Sequence, residues 1–381
     1  MVTRIKSDKI IAPQGITCGY VYFEGNTITQ VSAQELPFDR EVDLTGLYVS
    51  PGFIDLHTHG GNGYDFRLSE EAVVEGSNFH LRHGTTTILP TISAAPLQVM
   101  REGVLGVEKA MKDPACKANV LGAHLEGPYF SQNQCGAQAS EFITPPVAQE
   151  YIALTEELSH AIARWSYAPE EDVDHAFSAY LKDKDILLSA GHTDAKYEHM
   201  KKAMENGCNL VTHLYSCTST ITRNKGFRSL GVIESAYLED DMYVEIIADG
   251  KHLPPELIRM ILKIKGTDKV ALVTDSLAIA GTDATSGKDV GKGFIVEDGV
   301  CKLPDRSAFA GSIATTDRLV RVVTREAGVG LCEAVKMLTR IPAKILGVNK
   351  GDLAAGKDAD IIAFDADIQV KKAFVMGKEI F

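Results

Sequence analysis

Two histidines two residues apart, His57 and His59, close the apolar run VSPGFIDLH (49–57) and the step just beyond it. At strand spacing, residues i and i+2 point to the same side. Two imidazoles on one side can hold one divalent ion together. Taken alone, the pair reads equally well as two polar residues in a turn. Its meaning comes from recurrence. Other apolar runs close on Glu126, on His192, on His213, on Asp249 with His252, and on Asp275.

Nitrogen and carboxylate donors without sulfur suit zinc first, and also iron(II), manganese or cobalt. His57, His59, Glu126, His192 and His213 exceed the three or four ligands of a single catalytic zinc. That leaves room for two ions, or for one ion with spare histidines. A metal there supplies a water that ionises near pH ~7. Asp275 beside it can take the proton and hand it to a leaving nitrogen; the structural alternative is a helix N-cap for SLAIAG. His252 can polarise a substrate carbonyl from the other side. His80, His83, His160, His175 and His199 fall in helical stretches and read as packing or surface residues. His124, two before Glu126, reads as a packed histidine supporting the site.

Residues so placed need a scaffold that gathers strand ends. The middle of the chain supplies eight β-branched runs, at 49–57, 85–91, 119–126, 163–170, 186–192, 209–214, 242–250 and 269–275. Amphipathic stretches such as SEEAVVEGSNFHLRH, LQVMREGVLGVEKAMK, EEDVDHAFSAYLKDK and PPELIRMILKIK separate them. Continuous apolar strands alternating with helices argue a parallel sheet covered on both faces. Eight units argue an α/β fold closed as a (β/α)8 barrel, with its active site at the C-terminal strand ends. An open doubly wound sheet calls for GxGxxG after its first strand, and GGNGYDF (60–66) does not match it. Residues 276–308 read as a loop, followed by helices.

The two ends differ from the middle. Residues 1–50 and 350–381 carry short strand signals separated by turns, and neither half has enough apolar residues to fold alone. Together they form a small β-domain around a barrel of 51–349. The balance of 39 basic and 51 acidic residues gives a net charge of −12, which argues against nucleic acid as a partner. No apolar stretch reaches the ~18 residues of a membrane span, and no signal peptide is apparent. Seven scattered cysteines without a CxxC read as reduced thiols in a cytoplasmic protein.

An ordered set of motifs extends over nearly the whole chain: PGFIDLHTHG (51–60), HLEGP (124–128), AGHT (190–193), VTHLY (211–215), IADGKH (247–252), LVTDS (272–276), AGS (310–312), PAKILG (342–347) and GDLAAGKDADIIAFD (351–365). In this order they resemble the N-acetylglucosamine-6-phosphate deacetylases of the amidohydrolase superfamily. The resemblance implies a deformed (β/α)8 barrel with a small β-sandwich built from both termini, a homodimer, and hydrolysis of the acetamide of an amino-sugar phosphate. It implies Glu126, His192 and His213 as shared metal ligands, with His57 and His59 matching members that hold a second ion. It further implies His252 as the substrate-orienting histidine and Asp275 as the catalytic carboxylate. Gly136, Ala137 and Gln138 match a substrate loop, and Ala310, Gly311 and Ser312 a further substrate-binding segment.

The stretch after the sixth strand, THLYSCTSTITRNKGFRSLG, departs from the family pattern. Ser216 and Cys217 replace Asn-Ala, and an Arg-Glu-Pro-Gly loop that helps hold the phosphate is missing. Three cations, Arg223, Lys225 and Arg228, stand there with no acid between 216 and 231, which reads as an anion site or as a solvated basic loop. The rival functions are a cyclic amidase, a nucleobase deaminase, a deacetylase for another N-acyl sugar, and a non-catalytic sugar-phosphate binder. A dihydroorotase-type site bridges its metals with a lysine on the fourth strand. Here that strand ends WSYAPE, and Glu126 of the third can bridge instead.

Overall fold

A computed structural model of the chain describes residues 1–288 and 293–381. Eight strands build the barrel: Phe53–Thr58, Thr85–Ser93, Ala123–Glu126, Ile162–Tyr167, Leu187–Ala190, Leu210–Val211, Tyr243–Ile247 and Val270–Val273. Successive strands pair in parallel from the first to the eighth. Most of their residues are buried. That burial on both faces is why the sequence shows apolar runs and not alternation. The deformation is local. The sixth strand spans two residues, and the ladder between the first two shifts register twice. The eighth strand meets the first through single bonds above the strand ends: Asp275 N–H donates to His57 O (2.9 Å), and His59 N–H to Ser276 O (2.8 Å).

The covering helices follow local signals. Glu70–Arg82 starts at Ser69, whose hydroxyl accepts from Ala72 N–H, and Glu70 and Glu71 sit in its first turn. Pro255–Lys265 opens on proline, buries Ile258 and Ile261, and stops at Gly266 with φ 70°. Each such isoleucine contributes about 1.5–3 kcal/mol by leaving water. The helix expected from Glu170 onward begins later, at Ala176. Asp172 is the reason: its carboxylate accepts from Phe177 N–H (3.1 Å) and Ser178 N–H (2.9 Å) and so fixes the helix start. No helix among the described residues is long and apolar enough to cross a membrane.

Strands from both termini share one sheet, in which Tyr48–Pro51 pairs antiparallel with Ile361–Phe364. Val2–Ala12 pairs antiparallel with Gly15–Glu24 on one edge, and its other edge is divided between two neighbours. Its Thr3–Lys6 part pairs with Arg40–Asp43, and Lys9 and Ile10 pair with Tyr48 and Val49. The sheet thereby folds over a core that includes Ile5, Val21, Phe23, Ile361 and Phe374.

Two regions read as loops are strands. Thr222–Asn224 and Phe227–Ser229 form a hairpin, turned by Lys225 (φ 46°) and Gly226 (φ 88°). Within 276–308, Ser286–Lys288, Gly293–Glu297 and Val300–Lys302 join Phe309–Gly311 in an antiparallel sheet. There Asp298 (φ 55°) and Gly299 (φ 78°) make the turn. Both are two-residue turns with positive φ at each position, whose twist matches that of a hairpin.

Candidate active site

Every strand-end residue singled out by sequence arrives at one mouth of the barrel. The backbone bends sharply to present them. His192 (φ 47°), His213 (φ 29°) and Asp275 (φ 49°) are left-handed, as are Tyr215 (φ 79°) and Cys217 (φ 49°) beside them. A non-glycine residue held there costs of order 1–3 kcal/mol and persists where surrounding structure over-determines it.

Glu126 is the hub. Its Oε1 lies 3.2 Å from His192 Nε2, 3.2 Å from His213 Nε2 and 3.4 Å from His57 Nε2. Its Oε2 lies 3.4 Å from His59 Nε2. Asp275 Oδ1 is 3.1 Å from His59 Nε2 and 3.4 Å from His57 Nε2. The Nε2 atoms of His57 and His59 face each other at 3.3 Å, so both cannot carry a proton comfortably. Four imidazole nitrogens and two carboxylates converging without sulfur fit a divalent transition metal. Among the described residues, two groups have donor atoms mutually within 4.8 Å: His57, His59 and Asp275, and His57, Glu126 and His213.

The outer ring nitrogens are tied to the scaffold. His59 Nδ1 meets Ser93 Oγ (3.0 Å), His192 Nδ1 meets Gln134 O (2.8 Å), and His213 Nδ1 meets Ser216 O (3.1 Å). Such contacts fix which nitrogen faces the centre. Burial disfavours the charged form of His57, yet Glu126 and Asp275 outweigh it and raise the group to about 10. Burial would raise Glu126 and Asp275. Instead His57 and its neighbouring imidazoles hold Glu126 well below the carboxylate range, and His57 and His59 lower Asp275. Burial lowers His213.

A cavity of about 270 Å³ opens above the cluster, lined also by Ala137, Ser216, Cys217, His252, Ala310 and Gly311. His252 Nδ1 pairs with Asp249 Oδ2 at 2.9 Å, and its ring packs edge-on against Phe309. Gln138 Nε2 donates to Glu126 Oε2 (2.6 Å), which fixes the hub carboxylate. Gly136 stands against Cys217, where a Cβ would meet Sγ at 2.5 Å. Ser312 is buried and donates from Oγ to Thr274 O (2.5 Å), so it shapes the turn after the eighth strand. Arg223, Lys225 and Arg228 lie on the exposed hairpin and do not line this cavity. His124 is buried between Thr91 and Ser166, outside the cluster's bonding atoms.

Sequence reasoning missed Ser93, the Gln134 carbonyl and Phe309. It also missed Arg164 and Glu245, which lie buried inside the barrel beneath the site. A charge in the middle of an apolar strand was the available signal for the last two.

The family described as Amidohydrolase family matches residues 48–380. The N-acetylglucosamine-6-phosphate deacetylase of Bacillus subtilis (strain 168) is 30% identical over 372 residues, covering 95% of this chain and 93% of that protein. The N-acetylgalactosamine-6-phosphate deacetylase of Shewanella sp. (strain ANA-3) is 29% identical, covering 96% of this chain and 90% of its own. The crystal structure of N-acetylglucosamine-6-phosphate deacetylase from Pasteurella multocida superposes with a TM-score of 0.91 at 29% identity, covering 100% of both chains. With a family match from the small domain through the whole barrel, and the motif residues gathered at one mouth, the chain belongs to the amidohydrolase family, within its N-acetylglucosamine-6-phosphate deacetylase group.

Proposed function

We propose that this enzyme hydrolyses the acetamide of N-acetylglucosamine 6-phosphate, giving acetate and the amino-sugar phosphate. The observation that carries the reading is the convergence of His57, His59, Glu126, His192, His213 and Asp275 at one mouth of the barrel, where all but the buried His57 line one cavity together with His252. A divalent metal, zinc by preference, fits Glu126, His192 and His213, with His57 and His59 able to hold a second ion. When bound, it supplies an activated water and Lewis-acid polarisation of the amide carbonyl.

The chain's own groups manage the protons. Asp275 is held ionised by His57 and His59 and so is ready to accept one. It takes a proton from the attacking water and returns it to the amide nitrogen as the C–N bond breaks. Asp249 accepts from His252 Nδ1–H and leaves Nε2 for the substrate. Oriented in this way, the His252 ring presents Nε2 to the carbonyl oxygen, where negative charge builds.

Arg223, Lys225 and Arg228 supply the cations for the phosphate. Their place on a projecting hairpin, away from this chain's cavity, supports contact with a neighbouring subunit's substrate in a homodimer. Seven free cysteines suit a reducing compartment, the cytoplasm. A second reading, N-acetylgalactosamine 6-phosphate, is favoured by the comparable identity of the Shewanella enzyme. The test is acetate release from both sugar phosphates and their unphosphorylated forms, with metal added back. Release from none of them overturns the reading.

A further inference from the structure

Beneath the cluster, the barrel interior holds an ion pair that the reaction above does not use. Arg164 of the fourth strand and Glu245 of the seventh are fully buried. Arg164 Nη1 donates to Glu245 Oε1, and Nη2 to Oε2 (2.8 Å). The guanidinium also donates from Nε to Ser189 Oγ (3.0 Å), from Nη2 to Thr212 Oγ1 (2.9 Å) and from Nη1 to Leu56 O (3.1 Å). Leu56 immediately precedes His57. Glu245 Oε2 lies 3.9 Å from His57 Nδ1. That nitrogen is buried and has no hydrogen-bond partner among the described residues. The outer nitrogens of His59, His192 and His213 are all engaged.

Branched apolar side chains usually fill this part of a parallel barrel. A buried ion pair carries a desolvation cost, and apolar residues of similar volume often replace one with no loss of stability. Stability therefore gives no reason for its presence, but its position does, because it points at one imidazole of the cluster.

We propose that the Arg164–Glu245 pair is a positioning device for His57. Glu245, the carboxylate that faces His57 Nδ1 at 3.9 Å, favours the ring form protonated on that nitrogen and so leaves the Nε2 lone pair for a metal ion. Arg164 fixes Glu245 and, through the Leu56 carbonyl, the strand that carries His57. The inference rests on the reading of the cluster as a metal centre. A cation held by Glu126, His192 and His213 does not need His57, whereas one held by His57, His59 and Asp275 does. The device acts on the latter.

The experiment is calorimetric titration of zinc into the metal-free full-length chain, with metal content checked by elemental analysis. Wild type is compared with Glu245→Gln and with the double variant Arg164→Met/Glu245→Leu. Both variants should bind the ion that needs His57 ~10- to 100-fold more weakly, the usual effect of removing a ligand's supporting group. Any ion held by Glu126, His192 and His213 should keep its affinity. The double variant restores packing without restoring an acceptor, so wild-type binding by a folded double variant overturns the inference and leaves the metal reading standing. A wild-type chain that binds no zinc overturns both. Nitrogen NMR of the zinc-loaded wild type is independent of whether either variant folds. The His57 ring, assigned by its loss in His57→Asn, should carry its proton on Nδ1, and a proton on Nε2 overturns the inference.

Discussion

Asp275 donates its backbone N–H to the carbonyl oxygen of His57 across 2.9 Å. The bond joins the last barrel strand to the first at the level of the site. It also sets the Asp275 carboxylate beside the two histidines that hold it ionised.

Asp275→Asn keeps that backbone bond and removes the proton acceptor. Turnover should fall by ~10²- to 10⁴-fold, the scale for loss of a general acid/base. Thermal stability and the metal at Glu126, His192 and His213 should remain. Near-normal kcat would reassign Asp275 to capping the turn that follows it.

Chelation should abolish acetate release, and a divalent transition metal should restore it. Glu126→Ala removes the carboxylate that four imidazoles approach within 3.4 Å, and His192→Ala removes one of those imidazoles. Both variants should purify with little metal by elemental analysis. Full activity in metal-free wild type would sink the mechanism.

Metal binding should release protons. In the metal-free chain, His57 is raised to about 10 and His59 and His192 are raised as well, while Glu126 and Asp275 are already ionised. Ligation needs free Nε2 lone pairs, so the ion competes with those protons. Affinity should rise with pH by at least about tenfold per unit through the neutral range. Calorimetry in two buffers of different ionisation heat counts the protons. Binding that ignores pH and buffer would remove His57 from the ligand set.

Replacing Arg223, Lys225 or Arg228 by alanine should weaken kcat/KM roughly 10- to 100-fold for phosphorylated substrates. One charge-assisted hydrogen bond is worth ~1.5–3 kcal/mol, and ~1.4 kcal/mol is a factor of ten. The unphosphorylated sugar should react as with wild type. If all three variants treat both sugars like wild type, the hairpin is not the anion site.

The candidate ligands were legible because each is a polar residue closing an apolar run, and a parallel barrel brings such closures together. His57, Glu126, His192, His213 and Asp275 all follow this rule. The left-handed turns at His192, His213 and Asp275 were not legible, since no glycine marks them. The two hairpins were missed for a different reason. They are short and lie outside the repeating strand-helix pattern, so their signals rested on Lys225-Gly226 and Asp298-Gly299 alone. Arg164 and Glu245 were hidden because hydrophobic periodicity reads a strand as a whole and passes over one charge that finds its partner across the barrel.

The sheet shared by the two ends sets an order on synthesis. Tyr48–Pro51 precedes the strand carrying His57 by one residue, and its antiparallel partner is Ile361–Phe364. Phe23 likewise waits for Phe374, its edge-on neighbour at 5.6 Å. At ~5–20 residues per second, translation of the intervening ~310 residues takes of order 15–60 s. Throughout that interval the strand before His57 lacks its antiparallel partner, while the strand of His57 itself already has Thr85–Ser93 beside it. A nascent chain thus completes the sheet beside the barrel only after residue 364 has emerged, and that slow, long-range closure is a stage exposed to capture by chaperones or to aggregation.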